Sequence, residues 1–212
     1  MDEAADTAAV GGGDPVLSCT WRRVTPPAGT AEPVPRCAHA CAALDGGGLL
    51  LYGGYGDDGP IGDLWRLDVG GATATAEGAD GDGAGASTHA SWSQLEPTGD
   101  IPTARSGHSL VGLGQDTFLL FGGVGTNMEG FNDLHLLDAS TARWTRVEPQ
   151  DPGSGGGAPS PRYNHRAIVL DDWGGAAAMM VTGGFTTDDL DSGVAGRPVG
   201  ECWSLELGPT AG

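Results

Sequence analysis

Three times along this chain a run of large side chains leads into two adjacent glycines, each time in the same ordered setting. Leu49-Leu50-Leu51-Tyr52 precedes Gly53-Gly54, Phe118-Leu119-Leu120-Phe121 precedes Gly122-Gly123, and Met179-Met180-Val181-Thr182 precedes Gly183-Gly184. Upstream of each pair lies Arg-x-x-His, as Arg36 and His39, Arg105 and His108, and Arg162 and His165. Downstream of the first two lies Asp-Leu-x-x-Leu-Asp (63–68 and 133–138), with the looser Glu201-Cys202-Trp203-Ser204-Leu205-Glu206 after the third. Trp21, Trp92 and Trp144 open the units. A fixed order of several features, repeated, is the signature of a repeat architecture.

The physics of one unit follows from its residues. The apolar run is too short for a helix and continuous rather than alternating, which suits a strand buried on both faces. The glycine pair permits a positive-φ turn after it. Stretches 40–44, 109–113 and 167–170 read as a second strand type, 64–67 and 134–137 as a third, and the Trp segments as a fourth. Four short strands joined by Gly and Pro turns give a twisted antiparallel sheet with two apolar faces. Such sheets must stack, and radial stacking makes a β-propeller.

The ordered set of Arg-x-x-His, apolar run with Gly-Gly, acidic-Leu strand and Trp resembles the kelch family over roughly residues 18–207. The resemblance implies an all-β, kelch-type β-propeller with three four-stranded blades in a partial or open ring. The blades are expected near 36–96, 105–148 and 162–207, with a further strand at 16–24. Residues 1–15 are expected as a disordered acidic tail, 16–208 as the propeller segment, and 209–212 as a tail. Gly53 and Gly122 are 69 residues apart, and Gly122 and Gly183 are 61. A unit of about 50 residues leaves the excess to loops: the acidic low-complexity stretch 70–90, then 149–161 and 186–200. Three blades fall short of the roughly four to eight of a closed ring. The chain is therefore expected to be part of a propeller, either a truncated product or an arc closed by self-association or another chain. Such an arc exposes an apolar sheet at each end. The first Trp strand could in principle complete the last sheet, which is how kelch rings are commonly closed, although three blades are too few for such a ring.

Charge narrows the partners. There are 28 acidic against 10 basic residues, net −18, and every basic residue is arginine. Phosphate neutralisation drives nucleic-acid binding and anionic-membrane binding alike, so neither is expected. The acidic field keeps a Gly-rich surface soluble and suits a basic protein partner. No apolar run has the length of a membrane span, and the opening residues lack a secretion-signal pattern, so an intracellular site, cytoplasmic or nuclear, is expected. Cys37 and Cys41 stand about 13 Å apart along one strand, too far for a disulfide. That spacing also defeats a tetrahedral metal site with His39. The cysteines read as small buried thiols in a reducing compartment. No metal and no cofactor are expected.

A motif that recurs in every unit reads as structural rather than catalytic. His39, His108 and His165 are expected to cap inner strands. Arg36, Arg105 and Arg162 are expected to pair with backbone or a carboxylate near a blade junction. Trp92 and Trp144 pack between sheets. Gly53, Gly54, Gly122, Gly123, Gly183 and Gly184 complete the structural set. Enzymatic relatives of the fold have signatures that fail here. A copper radical oxidase of the galactose oxidase type needs a Cys, two Tyr and two His together, and this chain has Tyr52, Tyr55 and Tyr163. The iron motif of kelch-type specifier proteins begins at Glu129 and Asp133 but meets Leu137 where His is required. No Gly-x-Ser-x-Gly, His-Glu-x-x-His or phosphate loop is present. The expectation is a non-enzymatic protein-interaction module, with a metalloenzyme remnant as a distant alternative.

In kelch adaptors the partner docks on loops after Gly-Gly and on residues inside Arg-x-x-His. Position by position the resemblance implies Tyr55, Asp57, Val124, Thr126, Phe185 and Thr187, with Ala38, Gly107 and Asn164 just before each His. An aromatic, a carboxylate and small polar groups stand where arginines grip acidic peptides in some adaptors. The stretch 123–133, with Asn127-Met128 and Asn132-Asp133, resembles the post-glycine loop of plant and algal F-box–kelch proteins. That likeness implies substrate recruitment to a ubiquitin ligase as the alternative function.

Overall fold

A computed structural model of the chain describes residues 21, 23–70, 90–149, 157–173, 176–187 and 196–208. The expected tails 1–15 and 209–212 and most of the 70–90 loop lie outside these residues. The first blade is a four-stranded antiparallel sheet, β1 (Ala40–Ala43), β2 (Leu49–Gly56), β3 (Gly59–Val69) and β4 (Ala90–Leu95), paired in that order. The second comprises β5 (Thr98–Gly99), β6 (Ser109–Gly114), β7 (Thr117–Val124), β8 (Gly130–Asp138) and β9 (Arg143–Val147), ordered β5-β9-β8-β7-β6. In the remaining segment β10 (Arg162–Tyr163), β13 (Phe185–Thr186) and β14 (Arg197–Pro198) form a small sheet. The third blade is β11 (Arg166–Trp173), β12 (Ala176–Thr182) and β15 (Cys202–Leu207), ordered β11-β12-β15. One 3-10 turn, Thr126–Met128, is the only helical segment among the described residues.

Two points differ from the sequence expectation. The third blade has three strands among the described residues, because Trp21, Arg23 and Val24 are not in a strand and Trp21 is fully exposed. The first two glycine pairs also do not end their strands, whereas the third follows the end of β12. In β2 and β7 they form bulges inside the ladder, with register shifts between Tyr52 and Gly54 and between Phe121 and Gly123. Each glycine keeps a positive φ, +66° and +110° for Gly53 and Gly54, so the bulge needs residues without a side chain.

The core lies between blades. Leu50, Tyr52 and Leu64 of the first blade meet Phe118, Leu120, Leu137 and Trp144 of the second. Leu119, Phe121 and Leu134, on the opposite face of the second blade, meet Met179 and Val181 of the third. This alternation explains the continuous apolar runs: in β7, successive side chains serve opposite junctions. Trp144 crosses a junction to reach Tyr52, ring centroids 5.1 Å apart, whereas Trp92 pairs with Trp65 of its own blade at 6.4 Å. The inner strands β1, β6 and β11 line an open axial cavity of about 780 Å³ that includes Cys41, Val111, Leu113, Ile168 and Val169.

The outward face of the third blade is more polar than an open apolar sheet. Thr182 stands where Tyr52 and Phe121 stand, Cys202 where Leu64 and Leu134 stand, and Arg166 where Ala40 and Ser109 stand. Among the described residues Ile168, Leu170 and Met180 supply the large apolar groups of this face, Ile168 exposed.

The first glycines of the second and third pairs face different surroundings. A Cβ on Gly122 would meet the Arg162 carbonyl oxygen at 2.9 Å and the His165 ring at 3.1 Å, both from the following unit. Among the described residues, a Cβ on Gly183 would meet only the Val199 carbonyl oxygen, at 3.6 Å. Gly183→Ala is therefore expected to cost only the left-handed backbone penalty, about 1–2 kcal/mol. Gly122→Ala adds a clash across the junction and should lower the melting temperature by a clear multiple of that. Thermal melts of the two variants decide it, and equal losses would show that the second junction does not close as described.

Candidate functional site

The same polar knot is tied three times. Arg36 Nε donates to the Val34 carbonyl (3.1 Å), Arg105 Nε to that of Thr103 (2.9 Å) and Arg162 Nε to that of Ser160 (3.1 Å). One terminal nitrogen of each donates to the first glycine of the pair, Gly53 (3.1 Å), Gly122 (2.9 Å) and Gly183 (3.4 Å). The guanidinium then reaches the carboxylate that opens the acidic-Leu strand. Arg36 takes Asp63 through both nitrogens, Arg105 takes Asp133 at 2.5 and 2.9 Å, and Arg162 takes Glu201 at 2.8 Å. A planar fork with five donors suits this combination of carbonyl and bidentate carboxylate, and lysine cannot replace it.

A third group braces each carboxylate. Trp65 Nε1 donates to Asp63 at 2.7 Å, Trp203 Nε1 to Glu201 at 2.9 Å, and His135 Nε2 lies 3.0 Å from Asp133. Sequence reasoning missed these residues, although an aromatic two places after each acid was visible. Burial raises the Asp133 carboxyl, but the hydrogen bonds from Arg105 and His135 outweigh it and hold it well below the usual range. Asp63 is lowered on the same balance, with Arg36 and Trp65 as donors. Arg105 is fully buried, and its guanidinium also lies 4.1 Å over the Phe131 ring.

The histidines act across junctions. His108 stands edge-on to Tyr52 of the preceding blade at 5.6 Å, and His165 does the same to Phe121 at 5.2 Å. His165 Nε2 also lies 2.9 Å from the Ser109 hydroxyl. His39 has no preceding blade beside it among the described residues and is exposed. The residue before each His has a positive φ: Ala38 50°, Gly107 65° and Asn164 56°. These three form a backbone chain around the arc, Gly107 N–H donating to the Ala38 carbonyl at 2.8 Å and Asn164 N–H to that of Gly107 at 2.7 Å.

Each post-glycine loop is tied to its own Arg-x-x-His segment. Cys37 and Tyr55 bridge through both backbone bonds (3.0 and 2.8 Å), as do Ser106 and Val124 (both 2.9 Å), and Tyr163 pairs with Phe185. The two sets of candidate partner residues thus meet at one end of each blade. Tyr55, Asp57, Thr126, Asn164, Phe185 and Ala38 are exposed there and Thr187 is half-buried against Gly130, while Gly107 and Val124 are buried and support the rim rather than forming it. Phe185 is stacked on Tyr163 at 5.6 Å.

The cysteines differ from expectation. Cys37, Cys41 and Cys202 are free but exposed, because they sit at the rim, on the axial cavity and at a terminal strand rather than inside a junction. Cys19 lies outside the described residues. Asp133 is consumed by its knot and Leu137 is buried in the first junction. Tyr52 is buried and donates to the Pro102 carbonyl at 2.6 Å, so it too is a packing residue. Among the described residues no group of three His, Cys, Asp or Glu side chains is placed to hold a metal, and no helix is long and apolar enough to cross a membrane.

The profile of the KLHDC2/KLHL20/DRC7 Kelch-repeats domain matches residues 70–209. The chain is a kelch-repeat protein. It is 31% identical over 163 residues to Adagio-like protein 1 of Oryza sativa subsp. japonica, covering 71% of this chain and 22% of that protein. Over 167 residues it is 29% identical to Tip elongation aberrant protein 1 of Schizosaccharomyces pombe, covering 76% of this kelch chain and 12% of the relative. The chain thus spans about a fifth or less of these curated relatives. A chain in the cryo-EM structure of RAG in complex with one melted and one unmelted RSS shares the fold, with TM-score 0.53 and 21% identity over 83% of this chain and 53% of that one. Kelch repeats generally bind protein partners and generally act without catalysis.

Two outcomes test the kelch knots and junctions. Arg105→Ala strands a carboxylate and buried carbonyls and should destabilise by about 3–5 kcal/mol, the range for breaking a buried ion pair, read from denaturant unfolding. Burial first, then Arg105 and Arg162, push His108 down to about 3 and His165 to about 4, below the ordinary 6.5. Between those values the unfolded chain binds more protons, so stability is complete above pH 6.5 and falls toward pH 4. Each histidine contributes a slope of up to about 1.4 kcal/mol per pH unit. His108→Gln should flatten that slope in melts taken across this window.

Proposed function

We propose that this chain is a non-enzymatic kelch interaction module that binds a protein partner through the loops on one face of its blades. The observation that carries this is the repeated backbone tie between each post-glycine loop and its Arg-x-x-His segment. It gathers Tyr55, Asp57, Thr126, Phe185, Thr187, Ala38 and Asn164 at equivalent ends of three blades, on a frame held by buried arginines. Exposed aromatics on a rigid frame are what interface hot spots use; Tyr55 is 50% and Phe185 38% exposed. The net charge of −18 favours a basic partner in an intracellular setting. A second reading, substrate recruitment to a ubiquitin ligase, is favoured only by the likeness of residues 123–133 to the F-box–kelch loop.

Pull-down with the purified chain should enrich a protein whose binding weakens as salt rises. Changing Tyr55, Asp57, Thr126 and Phe185 together to alanine should abolish capture and leave the melting temperature unchanged. Capture that survives the fourfold variant would place the partner elsewhere. Stoichiometric copper or iron in elemental analysis would overturn the non-enzymatic reading.

A further inference from the structure

Exposed carboxylates share the loop face with exposed aromatic rings, and the arginines that lie nearest them are spent beneath the rim. We propose that this face reads arginine: it takes an arginine-bearing segment of a protein partner, the guanidinium laid on an exposed ring and hydrogen-bonded to a carboxylate next to it. This deepens the reading of the loop face as a partner surface, on which it rests, by naming the side chain recognised there.

The rim carries both halves of an arginine site at two places. In the first blade Tyr55 is exposed near the end of β2, and Asp57 and Asp58 form the exposed turn that leads into β3. In the third blade Phe185 is exposed, and its ring is held by stacking on Tyr163, the two planes 26° apart. The carboxylate at this second place comes from the neighbouring blade. Thr187 fills the space where a Cβ on Gly130 would stand, which brings the exposed Glu129 beside the Phe185 loop. Asn132 Nδ2 donates to the Pro159 carbonyl at 3.2 Å and ties the same two units together.

No side chain of the described residues engages Asp57, Asp58 or Glu129. The ion pairs among those residues use Asp63, Asp68, Asp133, Glu148 and Glu201 instead. Arg36, Arg105 and Arg162 are held in their knots. Arg197 pairs with Thr186 while Pro198 pairs with Phe185, so strand alternation turns Arg197 to the face of the small sheet opposite Phe185. The rim therefore presents negative charge and aromatic surface to a cation from outside.

The second blade shows in its own interior what such a combination holds. Arg105 lies 4.1 Å over the Phe131 ring while two of its nitrogens reach Asp133. A planar guanidinium stacks and donates sideways at once, whereas an ammonium is compact and more strongly hydrated. The acidic field by itself draws lysine and arginine alike. A ring and a carboxylate held side by side tell them apart, and a rim fixed before binding loses little freedom when the partner arrives.

Fluorescence anisotropy with two labelled peptides decides it, one carrying arginines spaced by glycine and serine, the other lysines at the same positions. At physiological ionic strength the arginine peptide should bind roughly tenfold more tightly, as expected of two exposed cation–ring contacts. Tyr55→Leu with Phe185→Leu leaves every charge in place and should bring the arginine peptide down to the affinity of the lysine peptide, with the thermal melt unchanged. Asp57→Asn with Glu129→Gln touches neither ring and should weaken the arginine peptide by roughly tenfold or more. Equal affinities for the two peptides, or an arginine preference that survives the loss of both rings, overturns the proposal. Equal affinities with partner capture still lost in the fourfold alanine variant would remove the arginine reading and leave the loop face standing. Capture that survives that variant counts against the loop face itself.

Discussion

The closeness of one backbone to the next governs this molecule. Where a blade meets its successor, the first glycine of the pair lies against the carbonyl of the following Arg and the ring of the following His, at distances no side chain would permit. The second glycine lies equally close to its own Arg-x-x-His segment: a Cβ on Gly123 would stand 2.9 Å from that of His108. One dipeptide therefore sets both the internal bend of a blade and its spacing from the next. Everything else in the unit either enforces that approach or exploits it.

The buried arginines enforce it. A guanidinium with no exposure must have its charge and its donors answered locally, and each is answered by two carbonyls and a carboxylate that lie far apart in sequence. Arg105 thereby fixes the bulge of β7, the entry to β6 and the start of β8 relative to one another. The Asp133 carboxylate is braced from its other side by His135. A site so fully satisfied has no free nucleophile, base or ligand to offer. Its product is a rigid rim.

At that rim the three units differ in exposure. Val124 and Gly107 are buried because the second blade has neighbours on both sides, while their equivalents Tyr55, Phe185, Ala38 and Asn164 are exposed. Among the described residues the outer units differ from the second: His39 is exposed, Gly183 meets no ring, and the third sheet has three strands. The polar substitutions on the third blade's outward face reduce the cost of leaving it in water.

The order of residues alone was enough to establish the repeat, the all-β class and the glycine positions, because each depends on local chemistry recurring in a set sequence: apolar runs, residues that accept positive φ, and an Arg-x-x-His before each. It also marked Asp63, Asp133 and Glu201 as repeating acids. It could not say that these acids bind Arg36, Arg105 and Arg162, since partners some 27 to 39 residues apart are brought together only by strand register. Nor could it show that Gly-Gly is a bulge rather than a turn, or that Cys37 and Cys41 are exposed, because both depend on what lies across the sheet. The roles of the histidines emerged last and only from how the blades stack. A histidine reads the same in all three units, and what makes His108 a buried, neutral packing ring and His39 an exposed one is the presence or absence of a blade in front of it.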